Sequence, residues 1–197
     1  GGAGIGAGYN KKNGTITITG GDVFAKSEEY GAGIGSGYNE NNGHITISGG
    51  NINAYGGKGG GAGIGAADNA NCTGNITIEN AIVYTEGGAL DDLRAGGAGI
   101  GAGRDNTGGG DFEATVTITN SKVTAEGGGW VEYGAAGIGA GFSGNAKSGK
   151  IIIADSTVTA RGGANAAGIG GGDEDIAYGG EGCDDVQICG NSVVTAK

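Results

Sequence analysis

The chain has 197 residues, of which 52 are Gly and none is Pro, and its 21 acidic and 11 basic side chains give a formal charge of −10. Glycine that does not fall at every third place excludes a collagen helix, and no run approaches the roughly 18 apolar residues of a spanning helix. An acidic chain without a basic stripe predicts neither nucleic acid nor membrane insertion among its partners. So much glycine also suits a disordered linker, but the aliphatic residues recur in register, which a linker has no reason to keep.

The first recurring element is Gly-Ala-Gly-Ile-Gly at Gly2–Gly6, which returns at Gly31–Gly35, Gly61–Gly65 and Gly97–Gly101 and as Ala-Ala-Gly-Ile-Gly at Ala135–Gly139 and Ala166–Gly170. Alternation predicts that Ala3 and Ile5 point inward while Gly2, Gly4, Gly6 and Gly8 leave an outer face of bare backbone. Next comes a two-strand block, Thr15–Ala25, repeated at His44–Ala54, Asn75–Thr85, Thr115–Ala125, Lys150–Ala160 and Asp185–Thr195. Its inward set is Ile16, Ile18, Val23 and Ala25, with equivalents ending at Val186, Ile188, Val193 and Thr195. Gly20, Gly49, Asn80, Asn120, Asp155 and Gly190 break each block, and these residue types tolerate positive φ at a corner. Thr17, Thr46, Thr77 and Thr117 form an outward column that reads as ordinary β-ladder packing.

A single unit cannot bury its few Ile and Val side chains, whereas stacked units share one core. The pattern predicts an all-β parallel β-helix of about six coils with three short strands each, about 4.8 Å apart. The coils run about 1–30, 31–60, 61–96, 97–134, 135–165 and 166–197 in one domain. Because the chain starts within a repeat, it reads as a fragment whose neighbouring domains in the parent chain cap the ends.

Candidate sites lie at the corners. Tyr9 and Tyr38 occupy equivalent places and are expected to stack, either as an aromatic platform or as cover for the corner. From the third coil the loops lengthen: residues 86–96 carry Leu90, Asp91, Asp92, Leu93 and Arg94, and residues 126–134 carry Trp130, Glu132 and Tyr133. Stacking predicts that these insertions meet in one aromatic, aliphatic and acidic patch, since insertions on successive repeats mark a binding face. The alternative is that Trp130 and the two Leu side chains only fold the loops onto the barrel. Asp173, Asp175, Asp184 and Asp185 offer hard oxygen ligands, so Ca²⁺ is the one cofactor the sequence raises, although no EF-hand pattern is present.

Little catalytic chemistry is legible. The single residue His44 supports no nucleophile-base pairing or two-His metal centre, and Cys72, Cys183 and Cys189 lack metal spacing. A bridge between Cys183 and Cys189 requires the chain before Val186 to turn back.

The Gly-Ala-Gly-Ile-Gly and Ile-Thr-Ile-x-Gly-Gly motifs, as in Gly2–Gly6 and Ile16–Gly21, resemble glycine-rich repeats of bacterial, Firmicutes-type secreted or cell-surface proteins. That resemblance implies a right-handed parallel β-helix beside adhesion or carbohydrate-handling modules. The combined expectation is a non-catalytic extracellular or cell-surface module that binds a glycan or another surface protein through its inserted loops. The alternatives are a structural stalk or spacer and a polysaccharide-degrading, lyase-like enzyme using Asp91 or Asp92.

Overall fold

The computed structural model of the chain describes residues 1–90, 94–105, 110–146, 148–173, 183 and 185–197. It is a parallel β-helix of six coils built from three six-stranded sheets. The first sheet stacks the Ile-Gly pairs from Ile5–Gly6 to Ile169–Gly170. The second stacks the Ile-x-Ile strands from Ile16–Ile18 to Asp185–Cys189, and the third the strands from Asp22–Lys26 to Val193–Ala196.

Register is exact between like residues because each coil presents the same side chain to the next. Ile34 pairs with Ile64 and Ile64 with Ile100, and Ile100 pairs with Ile138. In the second sheet Ile45 lies over Ile76 and Ile76 over Val116, while the outward column runs Thr17, Thr46, Thr77 and Thr117. Ile34, Ile45, Ile47, Ile52, Ile64, Ile76, Ile78, Ile100, Ile118 and Ile138 are fully buried. At about 1.5–3 kcal/mol for each fully buried aliphatic side chain, these columns are the main favourable term holding the coils together.

Three features differ from the alternation read in the sequence. The Ala-Gly-Ile-Gly segment is a bend, not a straight strand. The Ala3 N–H donates to the Ala7 carbonyl (2.8 Å), and the same closure recurs at Ala32–Ser36, Ala62–Ala66, Ala98–Ala102, Ala136–Ala140 and Ala167–Gly171. It pushes the intervening Ile to the tip and into the core. The glycine after that Ile has φ between +131° and +144° in all six coils, a region closed to side chains.

Of the glycines expected on an outer face, Gly4, Gly6 and Gly8 are exposed at the open end of the stack, but their equivalents in the second to fifth coils are buried. In the fourth coil Gly97, Gly99, Gly101 and Gly103 are all buried. A Cβ on Gly99 would sit 2.6 Å from the Gly137 carbonyl oxygen and 2.7 Å from the Glu126 nitrogen. One on Gly101 would fall on the Gly139 carbonyl. These positions face the next coil and the end of the third-sheet strand, so along the middle coils this motif offers a partner no glycine surface.

The third departure is in the last block, which carries one more residue in its turn. Val194 pairs with Val158 and Ala196 with Ala160, so these residues, and not Val193 and Thr195, occupy the inward columns. Val193 is consequently exposed. The positive-φ corners are as expected: Asn80, Asn120 and Asp155 have φ of 52°, 47° and 49°.

Corner side chains tie one coil to the next by accepting its backbone N–H groups. Asn41 Oδ1 accepts from Asn71 (2.9 Å), Asn71 Oδ1 from Asp111 (3.1 Å) and Asp111 Oδ1 from Asn145 (2.8 Å). Fully buried Asn42 donates to the Gly43 and Gly74 carbonyls and accepts from Thr73, so its polar atoms are satisfied. The three cysteines form no disulfide. The Cys183 thiol donates to the Gly149 carbonyl (2.8 Å) and Cys189 to that of Ile153 (3.7 Å), each on the adjacent coil.

Ile100→Ala is expected to destabilise the fold by about 2–5 kcal/mol in urea unfolding. Gly101→Ala removes no buried surface yet is expected to lower the urea midpoint too, because both its φ and the Gly139 carbonyl oppose a methyl group. Gly8→Ala, with nothing within 4 Å of the new atom, should leave the midpoint unchanged.

Candidate functional site

The third sheet turns Val23, Ala25 and their equivalents toward the core, so the residues between and after them face outward. One outward column runs Phe24, Asn53, Tyr84 and Thr124, and its neighbour runs Lys26, Tyr55, Glu86, Glu126 and Arg161. Rings drawn alternately from the two columns form a row. The centroids of Phe24 and Tyr55 are 5.4 Å apart and those of Tyr55 and Tyr84 5.8 Å apart, tilted by 42° and 48°. Phe24 is 69% exposed, a large apolar ring that the fold leaves in water.

The row ends at two carboxylates. The Tyr84 hydroxyl lies 3.2 Å from Glu86 Oε2 and 3.3 Å from Glu126 Oε2, donating its single proton between carboxylates on adjacent coils. Burial, reinforced by both negative charges, pushes the Tyr84 phenol far above its usual range and keeps it protonated. In the column beyond Glu126 stands Arg161, whose guanidinium sits 4.6 Å from the centre of the Trp130 ring. Trp130 and Tyr55, the middle ring of the row, border a cavity of about 230 Å³ lined also by Lys26, Lys58, Glu86 and Ala89, with Gly56, Gly87 and Gly88.

The insertions after the third and fourth coils lie side by side. The backbones of Ala89–Leu90 and Arg94–Gly96 form a small antiparallel hairpin. Its Ala95 and Gly96 N–H groups donate to the Glu132 and Tyr133 carbonyls (3.3 and 3.1 Å). Asp91, Asp92 and Leu93 lie outside the described residues. The two aromatics of the second insertion serve different neighbours. Trp130 joins Arg161 and the third sheet, whereas Tyr133 packs on Phe142 with centroids 4.9 Å apart and donates its backbone N–H to Asp173 Oδ2 (3.2 Å).

Tyr9 and Tyr38 stack at 5.4 Å with planes 21° apart, and Tyr30 covers Tyr38 at 5.1 Å. Their column continues through Asp68, Arg104, Phe142 and Asp173. The N–H after each column residue donates to the carbonyl of the next, from Asn10 N to Tyr38 O through Ser143 N to Asp173 O. Asp68 and Arg104 form a two-pronged ion pair, Nε to Oδ1 at 2.9 Å and Nη2 to Oδ2 at 3.2 Å, with both side chains buried. Burial raises the Asp68 carboxyl, and the bonds from Arg104 pull it back only in part. This corner is an aromatic and ionic seam, buried at Asp68 and Arg104 and exposed at Tyr9 and Tyr30.

Of the four acidic residues considered for Ca²⁺, Asp175 and Asp184 lie outside the described residues. Asp173 accepts from Tyr133 and Asn165. Asp185 pairs with Lys150 at 2.7 Å, and that hydrogen bond draws its carboxyl below the ordinary range. Among the described residues no group of three or more His, Cys, Asp or Glu side chains is arranged to hold a metal.

Sequence reasoning singled out Trp130 but passed over Phe24, Tyr55 and Tyr84. The signal was present in the alternation of the third strand, whose outward positions hold these rings; only their stagger between two columns needed the tertiary register.

Four segments, residues 16–38, 45–68, 116–142 and 151–173, match a family model described as a beta helix repeat. Each begins on the second sheet and ends at the corner column, at Tyr38, Asp68, Phe142 and Asp173. No curated protein and no solved structure matches the chain.

Asp68→Ala strips a buried guanidinium of its two-pronged partner and is expected to cost about 3–5 kcal/mol in urea unfolding. Replacing both Asp68 and Arg104 with apolar residues should recover much of that loss. Asp185 should titrate below the ordinary carboxylate range by NMR, and Lys150→Ala should return it to that range. Its folded pKa is the lower one, so the pair's stabilisation is present above the unfolded Asp pKa and lost as pH falls through the folded value.

Proposed function

We propose that this β-helix is a non-catalytic surface module that binds polysaccharide along the outer face of its third sheet, with the Trp130 loop bounding one side. The observation that carries this reading is the row Phe24, Tyr55 and Tyr84, with rings 5.4 and 5.8 Å apart, leading to a cavity bordered by Trp130. Aromatic faces take the apolar face of a sugar ring, and Phe24 at one end of the row is largely exposed while Tyr55 and Tyr84 are half-buried. Glu86 and Glu126 stand at the end of the row, where carboxylates accept sugar hydroxyl protons in charge-assisted hydrogen bonds. The strands hold these groups without needing a ligand to order them, which lowers the entropic cost of binding.

An extracellular or cell-surface location accords with this reading, since a polysaccharide-binding face meets its ligand there. A second reading, a rigid spacer, draws on the unbroken inward columns and the buried Asp68–Arg104 pair, which stiffen the stack along its axis. A glycan array followed by calorimetry separates the two. Trp130→Ala and Tyr55→Ala are each expected to weaken binding at least about tenfold, the effect of roughly 1.4 kcal/mol, with the far-UV spectrum and melting temperature unchanged. No glycan binding by the unmodified chain leaves the spacer reading standing and overturns the binding reading.

A further inference from the structure

We infer that the cavity beside Trp130 selects an acidic sugar unit, one bearing a carboxylate or a sulfate ester; this rests on the polysaccharide-binding reading and names its ligand class. The chain as a whole carries a charge of −10 and only 11 basic residues. Two of them, Lys26 and Lys58, nevertheless line this one cavity, and a third, Arg161, stands over the Trp130 ring that borders it. Lys58 is exposed and makes no ion pair among the described residues. Lys26 lies 3.5 Å from Glu28, and with their side chains 44% and 74% exposed this contact exchanges readily for a better anion.

Among the described residues of the lining the one carboxylate, Glu86, already accepts the Tyr84 hydroxyl at 3.2 Å. Its remaining lone pairs suit a sugar hydroxyl and leave the acidic substituent to the lysines. Size narrows the ligand further. At about 230 Å³ the cavity lies below the roughly 300–1,000 Å³ of pockets that enclose a drug-sized molecule, so it fits one sugar unit. The rest of the glycan then runs over Tyr55 and Phe24.

The test uses the intact chain and two matched pairs of glycans: a polyuronate against its carboxyl-reduced form, and a sulfated glycan against its desulfated form. Calorimetry at low and high salt should show at least one acidic form binding about tenfold tighter than its neutral partner, a difference of roughly 1.4 kcal/mol that shrinks as salt screens it. The pair showing the preference distinguishes carboxylate from sulfate. Lys58→Ala should reduce the preference for the acidic form, and Lys58→Arg should retain it. Equal binding of acidic and neutral forms in both pairs overturns this inference and leaves the polysaccharide reading intact. Absence of binding to all four glycans and across a neutral glycan array overturns both.

Discussion

The structure depends on how closely its coils approach at the Ala-Gly-Ile-Gly bend. Parallel strands sit about 4.8 Å apart, and here the chain also closes on itself through the Ala-to-i+4 hydrogen bond. The resulting backbone presses against the next coil and against the end of the third-sheet strand, where even a methyl group has no room. Glycine is entropically costly to order, yet here it is the only residue the geometry admits. In return the bend delivers one Ile per coil to the same place in the core, and that column fixes the register of everything after it.

Once register is fixed, similar side chains lie over one another, with different consequences inside and outside. Inside, Ile on Ile and Val on Val make a continuous core that no single coil possesses. At the corners, Asn, Asp and Ser side chains take up backbone N–H groups that the turns would otherwise leave unsatisfied. Outside, the stack converts isolated residues into rows. Phe24, Tyr55 and Tyr84 are separated by about thirty positions in sequence but by one coil in space, and only that conversion gives a flexible-looking, glycine-rich chain a rigid aromatic face.

The two corners flanking the first sheet have diverged in role. One carries the seam of Tyr9, Tyr38, Asp68, Arg104, Phe142 and Asp173, where rings and a buried ion pair fill space left by changes in loop length. The other carries the strand pair from Ala89 and the Trp130 loop, and Ala89 and Trp130 line a cavity against the third sheet. Tyr133 belongs to the seam and Trp130 to the cavity, although only two residues separate them. The loop between the fourth and fifth coils therefore links packing at one edge to the candidate binding face at the other.

The sequence by itself determined the repeat, the six coils, the inward Ile and Val columns and the positive-φ corners, because periodic burial and backbone sterics are local rules written in residue type. It also placed Trp130 on a loop set against its neighbour. The tertiary structure alone decided where the glycines face, since a bend and a strand share the same composition and differ only in what closes them. It decided that the last turn holds an extra residue, because Val193 and Val194 are equally apolar and only pairing with Val158 tells them apart. The aromatic row and its lysines likewise depended on the stack: their partners come from different coils, and proximity between coils is set by register and not by any single stretch of chain.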